Sequence, residues 1–333
     1  MVRPIKTAIR SLAYRSGLLG AIHRWRNRNT LTVFMFHRVL PVDSVAYAHA
    51  EKEFTFTTDG FSRCLDFIQR HYHVVPHAAV RAHLEGRGVL PHCAGLITFD
   101  DGWRDTLVHA WPALRQRQLP GLLFLATEVP ALVPDRWWQD MLVEVLAAPG
   151  RLDQLEGALA LRPALGASAG ARQRALTGAL AALSDAQRHS LLTPFVRAPL
   201  MSRQMLVAAD LSGVPPGLAV AGHGHSHAPL TAHPDPGADL EASHTSLRHM
   251  GADDGTLSFP HGDFDPTVLA QARQAGFSIC YSSEPSLVDV SFGPDVRQPL
   301  GRIHVPENEW TCEGGKLSFA RLATFLFFRP IAR

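Results

Sequence analysis

The sequence predicts an α/β fold, a parallel sheet open or closed into a barrel with helices outside. Three observations point there. Short apolar runs recur along the chain, helical patterns separate several of them, and one long stretch is rich in Ala, Leu, Arg and Gln with no strand signal. In such a fold the chemistry sits at the C-terminal ends of the strands, so the residues just after each apolar run matter most.

Residues 1–30 alternate basic and apolar positions and never sustain the apolar stretch that a signal peptide needs. A cytoplasmic location is therefore expected. Ile5, Ile9 and Leu12 fall near helical spacing with Lys6 and Arg10 between them. Two readings stay open: a basic amphipathic helix lying peripherally on the inner, anionic face of a membrane, or a helix packed on its own domain.

Leu31 to Phe36, Leu96 to Phe99, Leu122 to Ala126, Leu218 to Ala221, Thr256 to Phe259 and Ile279 to Ser282 read as buried strands. Asp59 can cap a helix carrying Phe61, Leu65 and Ile68, and Asp265 followed by Pro266 starts another that ends at Gly276. The segment 141–206 reads as a helical insertion, with a loop at Gly166 to Gly170, that could cap a site or dock a partner.

The formal net charge of +2 leaves no footprint for a nucleic-acid partner. Cys64, Cys93, Cys280 and Cys312 lie far apart with no CxxC pair, which suggests neither a structural zinc knuckle nor a disulfide framework and suits a reducing compartment. No GxGxxG or GxxxxGK[ST] run supports a nucleotide site.

Two local motifs carry chemistry. The run Leu96 to Phe99 ends in Asp100-Asp101-Gly102, and two adjacent carboxylates repel unless a cation or a proton relieves them. The plain alternative is a turn in which both acids cap the next helix through Trp103 and Thr106. The second motif, Gly222-His223-Gly224-His225-Ser226-His227, comes directly after another apolar run. Imidazole and carboxylate donors suit zinc and similar divalent ions, and Asp101 with two of these histidines would leave a position for water. An extended chain would put all three histidines on one face, whereas a turn pairs His223 with His227. A solvated histidine-rich loop is the alternative.

Together the motifs resemble the polysaccharide deacetylases that share the NodB homology domain, carbohydrate esterase family 4, of the exopolysaccharide-biosynthesis type. Thr98-Phe99-Asp100-Asp101 matches that family's TFDD motif, and His223 to His227 matches its H-[ST]-x-x-H in spacing, with Gly224 where the family has Ser or Thr. The resemblance implies a distorted (β/α) barrel over 31–310 that contains the insertion, followed by a C-terminal segment, 311–333. It implies Asp100 as catalytic base and Asp101, His223 and His227 as ligands of a divalent metal, zinc foremost, with cobalt or nickel also accepted.

Ser258-Phe259-Pro260-His261-Gly262 stands where the family has R-x-P-Y-G and lacks the Arg and the Tyr. The backbone NH of His261 can still serve an oxyanion. Arg302 is the candidate to orient Asp100 from another position. No Leu-x-His motif supplies the general acid; His304 is preferred, with His261 and His37 as alternatives. His37, Pro260, Trp137, Trp138 and Asp140 are expected to contact substrate, the indoles by stacking on sugar rings. The implied substrate is an N-acetylated glycan or lipid-linked sugar. Other N-acyl substrates of the same fold, or a silent homologue that only binds glycan, remain as alternatives.

Overall fold

A computed structural model describes residues 2–131, 138–162, 164, 166–181, 183, 185–195, 204–291, 298–311, 317–328 and 331–332. Twelve strands are present among them: β1 (Thr30–Phe36), β2 (Arg38–Leu40), β3 (Thr55–Thr57), β4 (His73–Val74), β5 (Ala94–Phe99), β6 (Gly121–Leu125), β7 (Leu218–Gly222), β8 (Asp253–Ser258), β9 (Ile279–Tyr281), β10 (Ser286–Asp289), β11 (Ile303–His304) and β12 (Ile331–Ala332). All but β2 and β3 belong to one ten-stranded sheet of order β12-β10-β1-β5-β6-β7-β8-β9, in which β4 also pairs with β5 and β11 with β1.

The pairs from β1 through β5, β6, β7 and β8 to β9 are all parallel; β10 alone runs antiparallel to β1. The segment from Leu300 to His304 curls the sheet into a distorted barrel. Its Leu300 bridges Tyr281 in β9, while Ile303 and His304 pair with Phe34 and Met35 in β1. Strands enclosed on both faces read as near-continuous apolar runs, and all seven residues of β1 and all six of β5 are buried.

Helices cover the outside. Thr58–His71 buries Phe61, Cys64, Leu65, Phe67 and Ile68. Its cap differs from the expectation: Thr57 Oγ1 accepts from Gly60 N, and Asp59 lies inside the first turn, paired with Arg63 at 2.8 Å. A threonine directly before the helix already fills the capping position, which leaves Asp59 to act on the helix dipole. Pro266–Ala275 is capped by Asp265 and followed by Gly276.

Between β6 and β7 the helices Trp138–Ala147, Arg151–Ala158, Ala169–Ala181 and Asp185–Leu192 gather around a core of their own. Met141, Leu142, Val145, Leu155, Leu176, Leu180 and Leu192 fill it and join Trp103, Ala126 and Val129 at the barrel mouth. At the chain start, helices Val2–Arg15 and Leu18–Arg26 pack on Phe319–Phe328, with the His23 ring stacked 4.2 Å from Phe327. The packed face uses Ala13 and Tyr14. Ile9 and Leu12 are left outside it, 63% and 70% exposed. No helix among the described residues is long and apolar enough to cross a membrane.

Candidate active site

Four strand ends converge. His37 comes after β1, Asp100 and Asp101 after β5, His223 after β7, and His261 lies just beyond β8. They open into a cavity of about 440 Å³ lined also by Arg38, Phe54, Trp103, Gln139, Arg302 and His304.

Asp101 Oδ1 lies 3.4 Å from His223 Nε2 and 3.1 Å from His227 Nε2, and all three residues are buried. Donors about 2.0–2.1 Å from a tetrahedral zinc would stand roughly 3.3–3.4 Å apart, so this triad has the spacing of a divalent-ion site. Its orientation is fixed from behind. His223 Nδ1 donates to the Ser258 carbonyl at 2.9 Å, which turns its Nε2 lone pair inward. Trp103 Nε1 donates to Asp101 Oδ2 at 2.8 Å and leaves Oδ1 for the histidines. Gln139 Nε2 lies 3.3 Å from His227 Nδ1; a half-turn of the carboxamide sets its oxygen on an Nδ1–H.

The turn pairs His223 with His227 and sends His225 elsewhere, with its Nδ1 2.9 Å from Thr127 Oγ1. Asp239 holds this turn by accepting from His225 N, Ser226 N and Ser226 Oγ. Gly224 stands at φ +71°, where an added Cβ would come 2.9 Å from Pro260 Cγ. The family's hydroxyl has no room there; Ser226 and Asp239 brace the loop instead.

Asp100 is 2% exposed and grips Arg302 with both oxygens, at 2.6 Å to Nη1 and 2.8 Å to Nη2. The arginine missing at Ser258 is thus matched by one from beside β11. Burial alone would raise the Asp100 pKa, but the Arg302 charge, then His223 and His37, hold it below the usual carboxylate range. His223 is also lowered by burial, yet the Asp100 and Asp101 carboxylates raise it overall. Two acids that draw a proton onto a buried imidazole are a place where a cation is favoured.

Backbone strain gathers here too. Asp101, His227 and His261 have φ of 77°, 60° and 58°, half of the six non-glycine residues with positive φ among those described. Such conformations cost about 1–3 kcal/mol each and persist where surrounding contacts impose them.

Expected substrate contacts divide. His37 lines the cavity with its Nε2 3.9 Å from Asp100 Oδ2. Pro260 does not line it; its ring packs on the Gly224 turn. Trp138 does not either: it is 2% exposed in the core of the insertion, beneath the Arg188 guanidinium. An indole on the inner face of an amphipathic helix gains more from burial than from reaching solvent. Trp137 and the Asp140 side chain lie outside the described residues. Among the described residues the indole that lines the cavity is Trp103, with Arg38 stacked 4.0 Å over its ring. Its place directly after Asp-Asp-Gly is a visible signal in the sequence, whereas Gln139, Asp239 and Arg38 give none.

No family model matches the chain, and no curated protein matches it in sequence. Solved structures do match it. Deacetylase PplD from Streptococcus pyogenes, in complex with acetate, superposes with a TM-score of 0.54 at 14% identity, over 91% of this chain and 100% of that one. This chain has the polysaccharide deacetylase fold. IcaB from Ammonifex degensii gives 0.51 at 17% identity, over 89% of this chain and 97% of its own. BC0361, a polysaccharide deacetylase from Bacillus cereus, gives 0.53 at 10% identity, over 89% and 69%. Within this fold the chain presents a buried carboxylate and two histidines fit for a divalent metal, with a second carboxylate beside them.

Proposed function

We propose that the chain hydrolyses an N-acetyl group from an amino-sugar glycan or glycan precursor, as in making an exopolysaccharide or other envelope polysaccharide. The observation that carries this is the pairing of two unlike carboxylates. Asp101 faces His223 and His227, while Asp100, 3.8 Å from His223 Nε2, is held by Arg302 instead. One acid is built to bind a cation, and its neighbour, paired with Arg302 and set apart from that cation, to act as a base.

Asp101, His223 and His227 would hold the ion, zinc by the preference of N and O donors in a three-ligand site, with cobalt or nickel compatible. The ion supplies Lewis acidity to water and to the acyl oxygen. Asp100 takes the proton from the attacking water, and Arg302 keeps its oxygens aligned for this. The NH of His261 stabilises the oxyanion. Protonation of the departing amine falls to His37 rather than His304. Burial, with His37 adding to it, pushes His304 down to about 4, and its ring is stacked on Phe54; an imidazole of that basicity is neutral at pH 7. His37 lines the cavity with its Nε2 3.9 Å from Asp100 Oδ2, which places it beside the base and within reach of a departing amine.

A silent, glycan-binding homologue needs no base, and the Asp100–Arg302 pair counts against it. Location in the cytoplasm, peripherally at the inner membrane face, is part of the same reading; exposed Ile9 and Leu12 near exposed Arg15 support contact with anionic lipid. Acetate release from N-acetylglucosamine oligomers by wild type and Asp100→Asn, with metal content measured on both, tests the function. Turnover in wild type and its loss in the variant at equal metal content is the expected result; sugar binding without turnover by metal-loaded wild type would establish the silent homologue.

A further inference from the structure

Two walls of the cavity come from distant parts of the chain, and they are tied together. One wall is the segment carrying Ala50, Glu51, Glu53 and Phe54; the other is the insertion, through Gln139, Leu142, Gln173 and Thr177. Thr177 Oγ1 donates to Glu51 Oε1 at 2.8 Å, and Gln173 Nε2 donates to the His49 carbonyl at 3.3 Å. A groove between these walls would let a polymer pass through; this joint spans it. The cavity of about 440 Å³ has the size of a small-molecule site, which runs from about 300 to 1,000 Å³.

Two residues of the cavity wall carry buried polar atoms that no protein group satisfies. Arg38 is 4% exposed, its Nε held by Asp105 at 2.9 Å and its Nη2 by Gln204 at 2.7 Å, while Nη1 is buried with no protein partner. Stacking on Trp103 fixes the guanidinium plane. Gln139 Oε1 is likewise buried without a partner, and whichever way that carboxamide is turned, one of its polar atoms is left over. Orphaned buried donors and acceptors are costly unless something fills them. The hydroxyls of a pyranose would.

We propose that the cavity takes a single N-acylated amino sugar, presented at a chain end or as a free or lipid-linked unit, with Arg38 Nη1 donating to a sugar oxygen. The Thr177–Glu51 joint excludes units inside a polymer. The inference rests on the deacetylase reading above and narrows its substrate.

The test uses the full-length, metal-loaded chain with N-acetylglucosamine, its short oligomers and its hexamer, mapping each freed amine by mass spectrometry. Amines confined to terminal units, with a rate per chain that does not grow with length, are expected. Activity on the free sugar separates a monomeric substrate from a chain end. Thr177→Val and Gln173→Ala should raise the share of interior amines about tenfold, and Arg38→Lys, which keeps the charge but loses the fork, should raise KM about tenfold with kcat little changed. Interior amines released by wild type as readily as terminal ones would overturn the proposal while leaving the deacetylase reading intact. No acetate from any of these sugars would overturn both.

Discussion

Arg302 and Asp100 form a two-pronged ion pair, 1% and 2% exposed, across a span of 202 residues. An arginine from beside β11 thereby occupies the place that the family pattern assigns to the position of Ser258. Arg302→Met should leave the buried Asp100 carboxylate without its main counter-charge, at a cost of about 3–5 kcal/mol in urea unfolding. Arg302→Met combined with Asp100→Asn should recover much of that loss. Equal stability of the single and double variants would show that the unpaired Asp100 charge is not what destabilises Arg302→Met.

Metal content separates the three histidines of the turn. His223→Ala, His227→Ala and Asp101→Ala should each reduce bound zinc well below one ion per chain, because a three-ligand site cut to two holds its ion weakly. His225→Ala should keep the ion, since that ring turns toward Thr127. Elemental analysis after dialysis reads this directly; loss of metal in the His225 variant alone would reverse the assignment.

Gly224 gives a prediction against the family pattern. Restoring the hydroxyl with Gly224→Ser puts a side chain at φ +71° and a Cβ 2.9 Å from Pro260 Cγ. Stability should drop by about 1–3 kcal/mol, and metal occupancy should fall rather than rise. Asp239→Asn should weaken the same turn by removing the charge that three donors share.

Trp138 lends itself to a test that separates packing from recognition. Trp138→Ala opens a cavity in the insertion core and should cost about 3–5 kcal/mol. Trp103→Phe should instead spare stability and lower metal affinity, since it deletes the Nε1 donor to Asp101. Thermal unfolding and a zinc titration on both variants check the pair.

Residues near one another in sequence are the legible part of the site. Asp100 with Asp101, and His223 with His227, stand within a few residues after apolar runs, so strand, turn and ligand chemistry can be read together. The five strands of five to seven residues, and the three-residue β9, are readable for the same reason. Contacts made across the fold are not. Gln139 meets His227 over 88 residues and Arg38 meets Asp105 over 67, and neither spacing carries a pattern. Two-residue strands such as β11 are too short for periodicity, although they close the barrel and place Arg302. Trp138 departs from its expected role because an indole on a sugar and an indole in a core look alike until the helix has a buried face.

The N-terminal helices provide a pH test away from the site. His23 is fully buried, with Nε2 3.2 Å from the His71 carbonyl and Nδ1 3.0 Å from Asn27 Nδ2. The carbonyl takes a proton from Nε2 and the amide gives one to Nδ1, so the neutral Nε2–H tautomer satisfies both and the imidazolium cannot. Burial, against the smaller opposing effect of the His71 carbonyl, lowers the pKa to about 4. The unfolded chain takes up this proton near 6.5 while the folded one resists it, so stability is full above about pH 6.5 and falls as the pH drops toward 4. The loss from this group is on the order of 3 kcal/mol. Urea midpoints for wild type and His23→Gln, compared at pH 7.5 and 4.5, should show a smaller acid penalty in the variant, because glutamine does not titrate. An identical penalty in both would place the acid sensitivity elsewhere, with the half-buried His71 next to be substituted.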